Sequence, residues 1–483
     1  MSFKYRLFAV ATSFITLAAC ANGALPNSET TMMFEARGGQ SVDAMRGSLM
    51  VPENRSDPES RMIRIEYVRF PATGDVSGSP IVYLSGGPGG SGIGTAKGPR
   101  FPLFMAMRAF GDVIALDQRG TGASNDLPNC ESSQIDPDET PISDAEHLIK
   151  HKLAADECLA FWETEGVDIR GYTTRESVAD LDDLRKHLGA EKISLWGISY
   201  GSHLSLAALK EMDDRIDRVV LASIAGLDQT AKLPARTDAY FDRLQATLNQ
   251  APDMRAQFPD IKALSSRFDT KLDAFPIMLD VPLQEGSTAP FLLERRDLQQ
   301  LMSGMISDPQ WAILGLGMYA ELDAGGSSGI TSIMARFIDP GAPISYRPMT
   351  FAMDIASGTG KLRAAEIDQQ AQTSLLKDYL NFPMPQLNNY VPGLDLGDTF
   401  REAPISDVPV LVLSGTLDGR TYPESGREAV SGLSNAPIVT LRHAGHNLFM
   451  SSPEVTALIE EFMRGETILI DTLTVEIPEP EFG

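Results

Sequence analysis

Apolar residues follow two rhythms along the first half of this chain. Over 62–70, Ile63, Ile65 and Tyr67 alternate with Arg64 and Glu66, the period of two that marks a half-buried strand, and 47–51 reads the same way. The runs 81–84, 113–116, 192–196 and 219–222 are short and almost wholly apolar, as expected of strands covered on both faces. Between them the period lengthens. An apolar stretch over 101–110 reads as a helix. Thr173 and Glu176 have capping-box spacing ahead of Val178, Leu181, Leu184 and Leu188, with Gly189 placed to end that helix. A further helix is expected over 201–212. The alternation breaks at about 227 and resumes near Val408, with strands over 410–413 and 437–441 and helices over 423–433 and 453–464. The predicted class is therefore α/β, a mostly parallel sheet with helices on both faces. Its core comprises 41–226 and 401–483, and 227–400, rich in Met and Leu, is a mainly helical insertion before the last strands, with helices at 296–306 and 311–322.

The amino terminus adds a destination. Lys4 and Arg6 precede an apolar run over 7–19, the shape of a secretory signal peptide and too short to span a bilayer. The run ends in Leu17-Ala18-Ala19-Cys20, which resembles the bacterial lipobox. That resemblance implies a lipid on Cys20 and a place in the bacterial cell envelope, on the periplasmic or extracellular face, with membrane contact through the anchor only. Ordinary cleavage at a nearby small residue is the alternative. Residues 20–40 are polar and small and read as an unstructured tether. In an oxidising compartment the two remaining cysteines, Cys130 and Cys158, are expected to pair; two separately buried thiols are the other reading. With 41 Lys plus Arg against 65 Asp plus Glu, the formal charge is -24. That charge repels polyanions, excludes nucleic acid as a partner and favours amine-bearing ligands.

Candidate chemistry starts from a pattern that occurs twice. Gly197-Ile198-Ser199-Tyr200-Gly201 and Gly325-Gly326-Ser327-Ser328-Gly329 both read Gly-x-Ser-x-Gly. Only the first follows a predicted strand and opens a helix, the geometry that exposes a nucleophilic serine; the second is expected to be a flexible loop. A serine needs a base, and the base an orienting acid. His446, in a turn after the strand 437–441, is favoured over His443. His147, His151, His187 and His203 read as surface or packing residues. Asp418, just past the strand 410–413, is the first choice of acid and Asp228 the alternative. The glycine loop after 81–84 offers backbone N–H groups for an oxyanion, with Gly87 as one donor and Tyr200, the residue after the serine, as the other. Gly87, Gly89 and Gly92 also satisfy a dinucleotide pattern with Asp117 as the ribose acid. Pro88 removes one N–H from that cradle, no helix is expected to open at the last glycine, and no cofactor or metal is expected.

Together SGGPGGSG at 85–92, DQRGTGAS at 117–124, GISYGS at 197–202, GTLD at 415–418 and Gly445-His446 resemble the proline iminopeptidase and tripeptidyl aminopeptidase family of α/β-hydrolases. The resemblance implies an α/β-hydrolase fold with a lid, and hydrolysis of peptide bonds near a free amino terminus. It implies Ser199, Asp418 and His446 as a triad, Gly87 and Tyr200 at the oxyanion hole, and Asp117 and Arg119 as structural turn residues. Acidic lid groups would hold the substrate ammonium, for which Glu321 and Asp323 are the candidates. Ser85 stands where many relatives have histidine. An esterase on the same scaffold and a non-catalytic envelope lipoprotein are the rival readings.

Overall fold

The computed structural model describes residues 29–74, 78–124, 127–283 and 286–476. The expected signal peptide and Cys20 lie outside them. Ten strands form one sheet. At one side Thr30–Glu35, Ser41–Pro52, Met62–Phe70 and Val113–Leu116 pair antiparallel in that order. From Val113–Leu116 onward every pairing is parallel, through Ile81–Leu84, Ile193–Ser199, Ile216–Ile224, Val410–Gly415, Ile438–Arg442 and Thr472–Thr474.

The continuous apolar runs have a simple cause. Alternate residues of each central strand enter opposite layers: Val82, Leu84, Leu195, Leu221 and Val412 join one apolar cluster, and Ile81, Tyr83, Trp196, Ala222 and Leu413 the other. Both faces are dry, so no position in these strands favours a polar side chain.

Two expectations fail, and one strand goes unannounced by the sequence. Residues 30–35 are not tether but an edge strand, whose Phe34 is fully buried and meets Phe70 edge to face at 4.9 Å. Only one face of that strand is buried, so two apolar residues, Met32 and Phe34, carry its pattern. The second Gly-x-Ser-x-Gly is not a loop either, because a helix, Ser328–Phe337, begins inside it. The short strand Thr472–Thr474 closes the far edge of the sheet without an apolar run to announce it.

Two regions overlie this core. An excursion after Val113–Leu116 contains the capped helix Asp144–Thr164, tied back by a disulfide between Cys130 and Cys158. The insertion over 227–400 has its own apolar cluster, including Tyr240, Phe268, Leu298, Leu316 and Met334. Leu417 and Tyr422, which flank Asp418, belong to that cluster too, while Phe351, Leu387 and Phe400 from the end of the insertion join the cluster beneath the sheet. The insertion is thus packed onto the loop that carries Asp418.

Candidate active site

Ser199 ends the strand Ile193–Ser199 and precedes the helix Tyr200–Met212, with φ 56 and ψ -123. A non-glycine residue in that region costs roughly 1–3 kcal/mol and persists only where its surroundings impose it. The neighbouring glycines show how this is done. A Cβ on Gly197 would lie 2.4 Å from the carbonyl oxygen of Gly201, and one on Gly201 only 2.0 Å from that of Leu84. Strand, turn and helix therefore approach more closely than any side chain would allow. The glycine loop rests on the same turn, since a Cβ on Gly86 would lie 3.0 Å from Cβ of Ser199.

That contact sets the glycine loop against the serine. Gly87, at φ 123, follows Gly86 directly. Tyr200 heads its helix, so its N–H has no intrahelical acceptor and stands at the positive end of the helix dipole.

The base is held by backbone and acid together. Ser199 pairs with Ile224 in the sheet, and the hydroxyl of the adjoining Ser223 donates to the carbonyl of His446 at 2.6 Å. His446 N–H donates to Ser307 of the insertion at 2.7 Å. Its Nδ1 lies 2.9 and 3.0 Å from the two carboxylate oxygens of Asp418. Asp418 is fully buried and also accepts from the N–H groups of Arg420 and Thr421, each at 2.8 Å, and from the Thr421 hydroxyl at 2.5 Å. Burial by itself would raise this carboxyl, but the imidazole and the Thr421 hydrogen bonds outweigh it and hold Asp418 below the ordinary carboxylate value. Every hydrogen bond of the His446 ring to a described residue uses Nδ1, which leaves Nε2 available. Ser199 Oγ makes no hydrogen bond to a described residue, so proton transfer requires a final approach of the kind that substrate binding completes.

The competing assignments have other partners. Asp228 accepts from the N–H of Gly360 at 2.7 Å, and His443 Nδ1 meets the carbonyl of Val475 at 3.1 Å. His203 is buried between the carbonyl of Gly226 and the Ser357 hydroxyl, each at 3.1 Å. A helix does open at the last glycine of the loop, Gly92–Ala96, against expectation. Asp117 is nevertheless committed, accepting from Ser91 Oγ at 2.6 Å, Ile93 N at 3.0 Å and Ala123 N at 2.8 Å. It locks two loops together and has no place for a ribose. Arg119, fully buried, pairs with both oxygens of Asp180 at 2.7 Å.

Glu321 and Asp323 do not fit the ammonium role. Glu321 accepts from Ser328 N and Oγ and from Gly329 N at 2.7–2.9 Å, capping the next helix, and Asp323 pairs with Arg267 at 2.7 Å. Their helix, Pro309–Asp323, meets the histidine loop at its other end, where a Cβ on Gly445 would lie 2.6 Å from Pro309. At 1.5 Å per residue, Glu321 is about 18 Å further along. The spacing of acids along a helix could not reveal which end faces the site.

Sequence reasoning did not single out a further acid of the insertion, Asp354. The insertion helix Pro348–Ser357 sits on the glycine loop, with Thr350 Oγ1 donating to the carbonyl of Pro88 at 3.2 Å. Asp354 is one turn further on the same face. Its carboxylate makes no hydrogen bond or ion pair with a described residue. Burial raises it, while Lys232 and Arg420 draw it back. Lys232, its ammonium resting on the carbonyls of Gln229 and Thr230 at 3.3 and 2.8 Å, is lowered by burial and by the positive charge of Arg420.

Comparison with known proteins agrees with this architecture. Residues 79–268 match the family model described as alpha/beta hydrolase fold, and 397–468 match one described as TAP-like protein. The chain is 28% identical to the tripeptidyl aminopeptidase of Streptomyces coelicolor over 233 residues, 44% of this chain and 39% of that protein. It is 28% identical to the serine protease Hip1 of Mycobacterium tuberculosis over 231 residues, 46% of this chain and 41% of that one. The match spans about two fifths of each relative's length. An alpha/beta hydrolase enzyme from a Medee basin deep-sea metagenome library superposes with a TM-score of 0.36 at 14% identity, covering 84% of this chain and 96% of the other. Among the described residues no helix is long and apolar enough to cross a membrane.

Proposed function

We propose that this chain, which belongs to the α/β-hydrolase family, is a serine exopeptidase that cleaves peptide bonds near a free amino terminus. One observation carries the reading: a serine held at φ 56 between two obligatory glycines, beside a histidine whose Nδ1 is paired to a fully buried aspartate. His446 Nε2 takes the proton of Ser199 as Oγ attacks the substrate carbonyl. Asp418 fixes the imidazole tautomer and stabilises the imidazolium. The N–H groups of Gly87 and Tyr200 receive the oxyanion. His446 then returns the proton to the departing amine, and water hydrolyses the acyl-enzyme by the same route.

Asp354 takes the place of Glu321 and Asp323 as the acid for the substrate ammonium, since its carboxylate is in no hydrogen bond or ion pair with a described residue. Peptide specificity is supported by the relatives named tripeptidyl aminopeptidase and serine protease. Export to the envelope is supported by the Cys130–Cys158 disulfide, a bond that persists in oxidising compartments, and a lipid on Cys20 rests on the sequence Leu17-Ala18-Ala19-Cys20 alone. A panel of fluorogenic amides with free and blocked amino termini, run beside simple esters, tests the activity. Cleavage confined to free termini is the expected result. Turnover of esters alone would assign the scaffold to an esterase, and no labelling of Ser199 by a fluorophosphonate would leave a binding protein.

A further inference from the structure

Away from the cleft, two histidines and an aspartate converge where the disulfide-bearing excursion meets the insertion. His147 and His151 are four residues apart on the helix Asp144–Thr164 and so share a face, with ring centroids 4.6 Å apart. Asp136 lies in the segment before that helix. One ligand-capable atom from each of the three lies within 4.8 Å of the other two. We propose that Asp136, His147 and His151 form a zinc site in the excursion, on the face that it packs against the insertion.

Three features of the cluster support a metal rather than a packing role. The Tyr346 hydroxyl lies 3.0 Å from His151 Nδ1 and 3.3 Å from the backbone carbonyl of the same residue. A partner at Nδ1 holds the ring, as a second group orients a metal-binding imidazole, and Nε2 makes no hydrogen bond to a described residue. Asp136 Oδ2 is 2.6 Å from His147 Nδ1, yet its other oxygen, Oδ1, is buried without a hydrogen-bond partner. A buried carboxylate oxygen left unsatisfied is costly, and a cation satisfies it. Finally, Phe382 stacks on His147 at 4.8 Å and meets His151 edge on at 4.7 Å, so the rings are clamped in place and screened from bulk water.

The donor set is two imidazoles and one carboxylate. That set suits zinc, which binds such nitrogen and oxygen ligands at about 2.0–2.2 Å and leaves a fourth position to water. Two ligands on one such ion lie about 3.3 Å apart, so His147 Nδ1 and Asp136 Oδ2, 2.6 Å apart, need to part by about 0.7 Å. Binding removes the proton shared between them, and affinity falls as pH falls. Tyr346, Phe382 and Gln300, whose amide is 3.5 Å from His147 Nε2, all belong to the insertion. All three ligands come from the excursion, so the ion would fix the two rings on which those insertion residues pack, acting on lid stability and taking no part in bond cleavage.

The test uses the full chain, stripped with a chelator and titrated with zinc. One equivalent should bind, and at a hundredfold excess over Kd the unfolding midpoint should rise by about 3–5 °C. Cobalt in place of zinc should give visible absorption bands. The double variant His147→Gln/His151→Gln should lose stoichiometric binding. Asp136→Asn, at a position one third exposed and so expected to fold, should bind at least about tenfold more weakly. His446→Gln should bind zinc unchanged. Failure of the stripped chain to take up one equivalent would overturn the proposal, as would unchanged affinity in Asp136→Asn or loss of binding in His446→Gln.

Discussion

Two segments of this chain share the pattern Gly-x-Ser-x-Gly and almost nothing else. At Ser199 the backbone is forced to φ 56, whereas Ser327 rests at φ -149 ahead of an ordinary helix. The fifth position makes the difference physical. A Cβ on Gly201 would lie 2.0 Å from the backbone oxygen of Leu84, which cannot move without tearing the sheet. One on Gly329 would lie 2.5 Å from the carboxylate of Glu321, the free end of a flexible side chain. At the first position, Gly197 is hemmed by the Gly201 carbonyl, while Gly325 has nothing within 4 Å. The same five letters are a compressed elbow in one place and a relaxed helix start in the other, because only the first is clamped between a strand and a helix.

That contrast can be broken or sharpened by experiment. The largest expected effect is on turnover. Ser199→Ala should lower kcat by about 10⁵- to 10⁶-fold in a folded protein, while Ser327→Ala should leave it within about twofold; equal effects would remove the distinction. Next, Asp418→Asn should keep the cleft but present the wrong imidazole tautomer, at a cost of about 10⁴ in kcat. Gly201→Ala should destabilise the fold by about 3 kcal/mol or more through overpacking against backbone. Gly329→Ala, whose neighbour can swing aside, should cost about 1 kcal/mol or less, and urea unfolding of the two variants measures the gap.

A smaller effect concerns substrate. Asp354→Asn should raise KM about tenfold for peptides with a free amino terminus and leave blocked esters unchanged; a fall in kcat alone would argue against an ammonium contact. The last concerns pH. Glu321, beside the second pentapeptide, is held below its ordinary value by the Ser328 hydroxyl and the N–H groups of Ser328 and Gly329, as Asp418 is by His446 and Thr421. A carboxylate with a depressed folded value stabilises the fold above its unfolded value and loses that contribution as pH falls through the folded one. Thermal midpoints should therefore drop on acidification. Asp418→Asn should flatten that drop visibly and Glu321→Gln only slightly, since Glu321 is solvated.

Much of the core could be read from the chain directly. The central strands, the capped helix Thr174–His187 and the elbow all follow from periodicities of two and 3.6 with punctuation by glycine. Thr30–Glu35 and Thr472–Thr474 were opaque because edge strands bury one face or less, and their patterns shrink to one or two residues. The Asp418–His446 pair was legible as two residues at the ends of two strands, because parallel strands deliver their carboxyl ends to one edge of the sheet.

By itself the sequence determined which residues could carry chemistry, through local rules: a glycine-flanked serine after a buried strand, an acid and a histidine after two later ones. Tertiary structure alone sets the surroundings of the insertion's acids. Glu321, Asp323 and Asp354 are equally plausible along the chain, and only the docking of the helix Pro348–Ser357 onto the glycine loop singles out the last. It also decided that Phe382, Tyr346 and Gln300 of the insertion pack against His147 and His151 of the excursion. Contacts between the insertion and the excursion are made by segments far apart in sequence, and no local periodicity encodes how two separately patterned surfaces will pack.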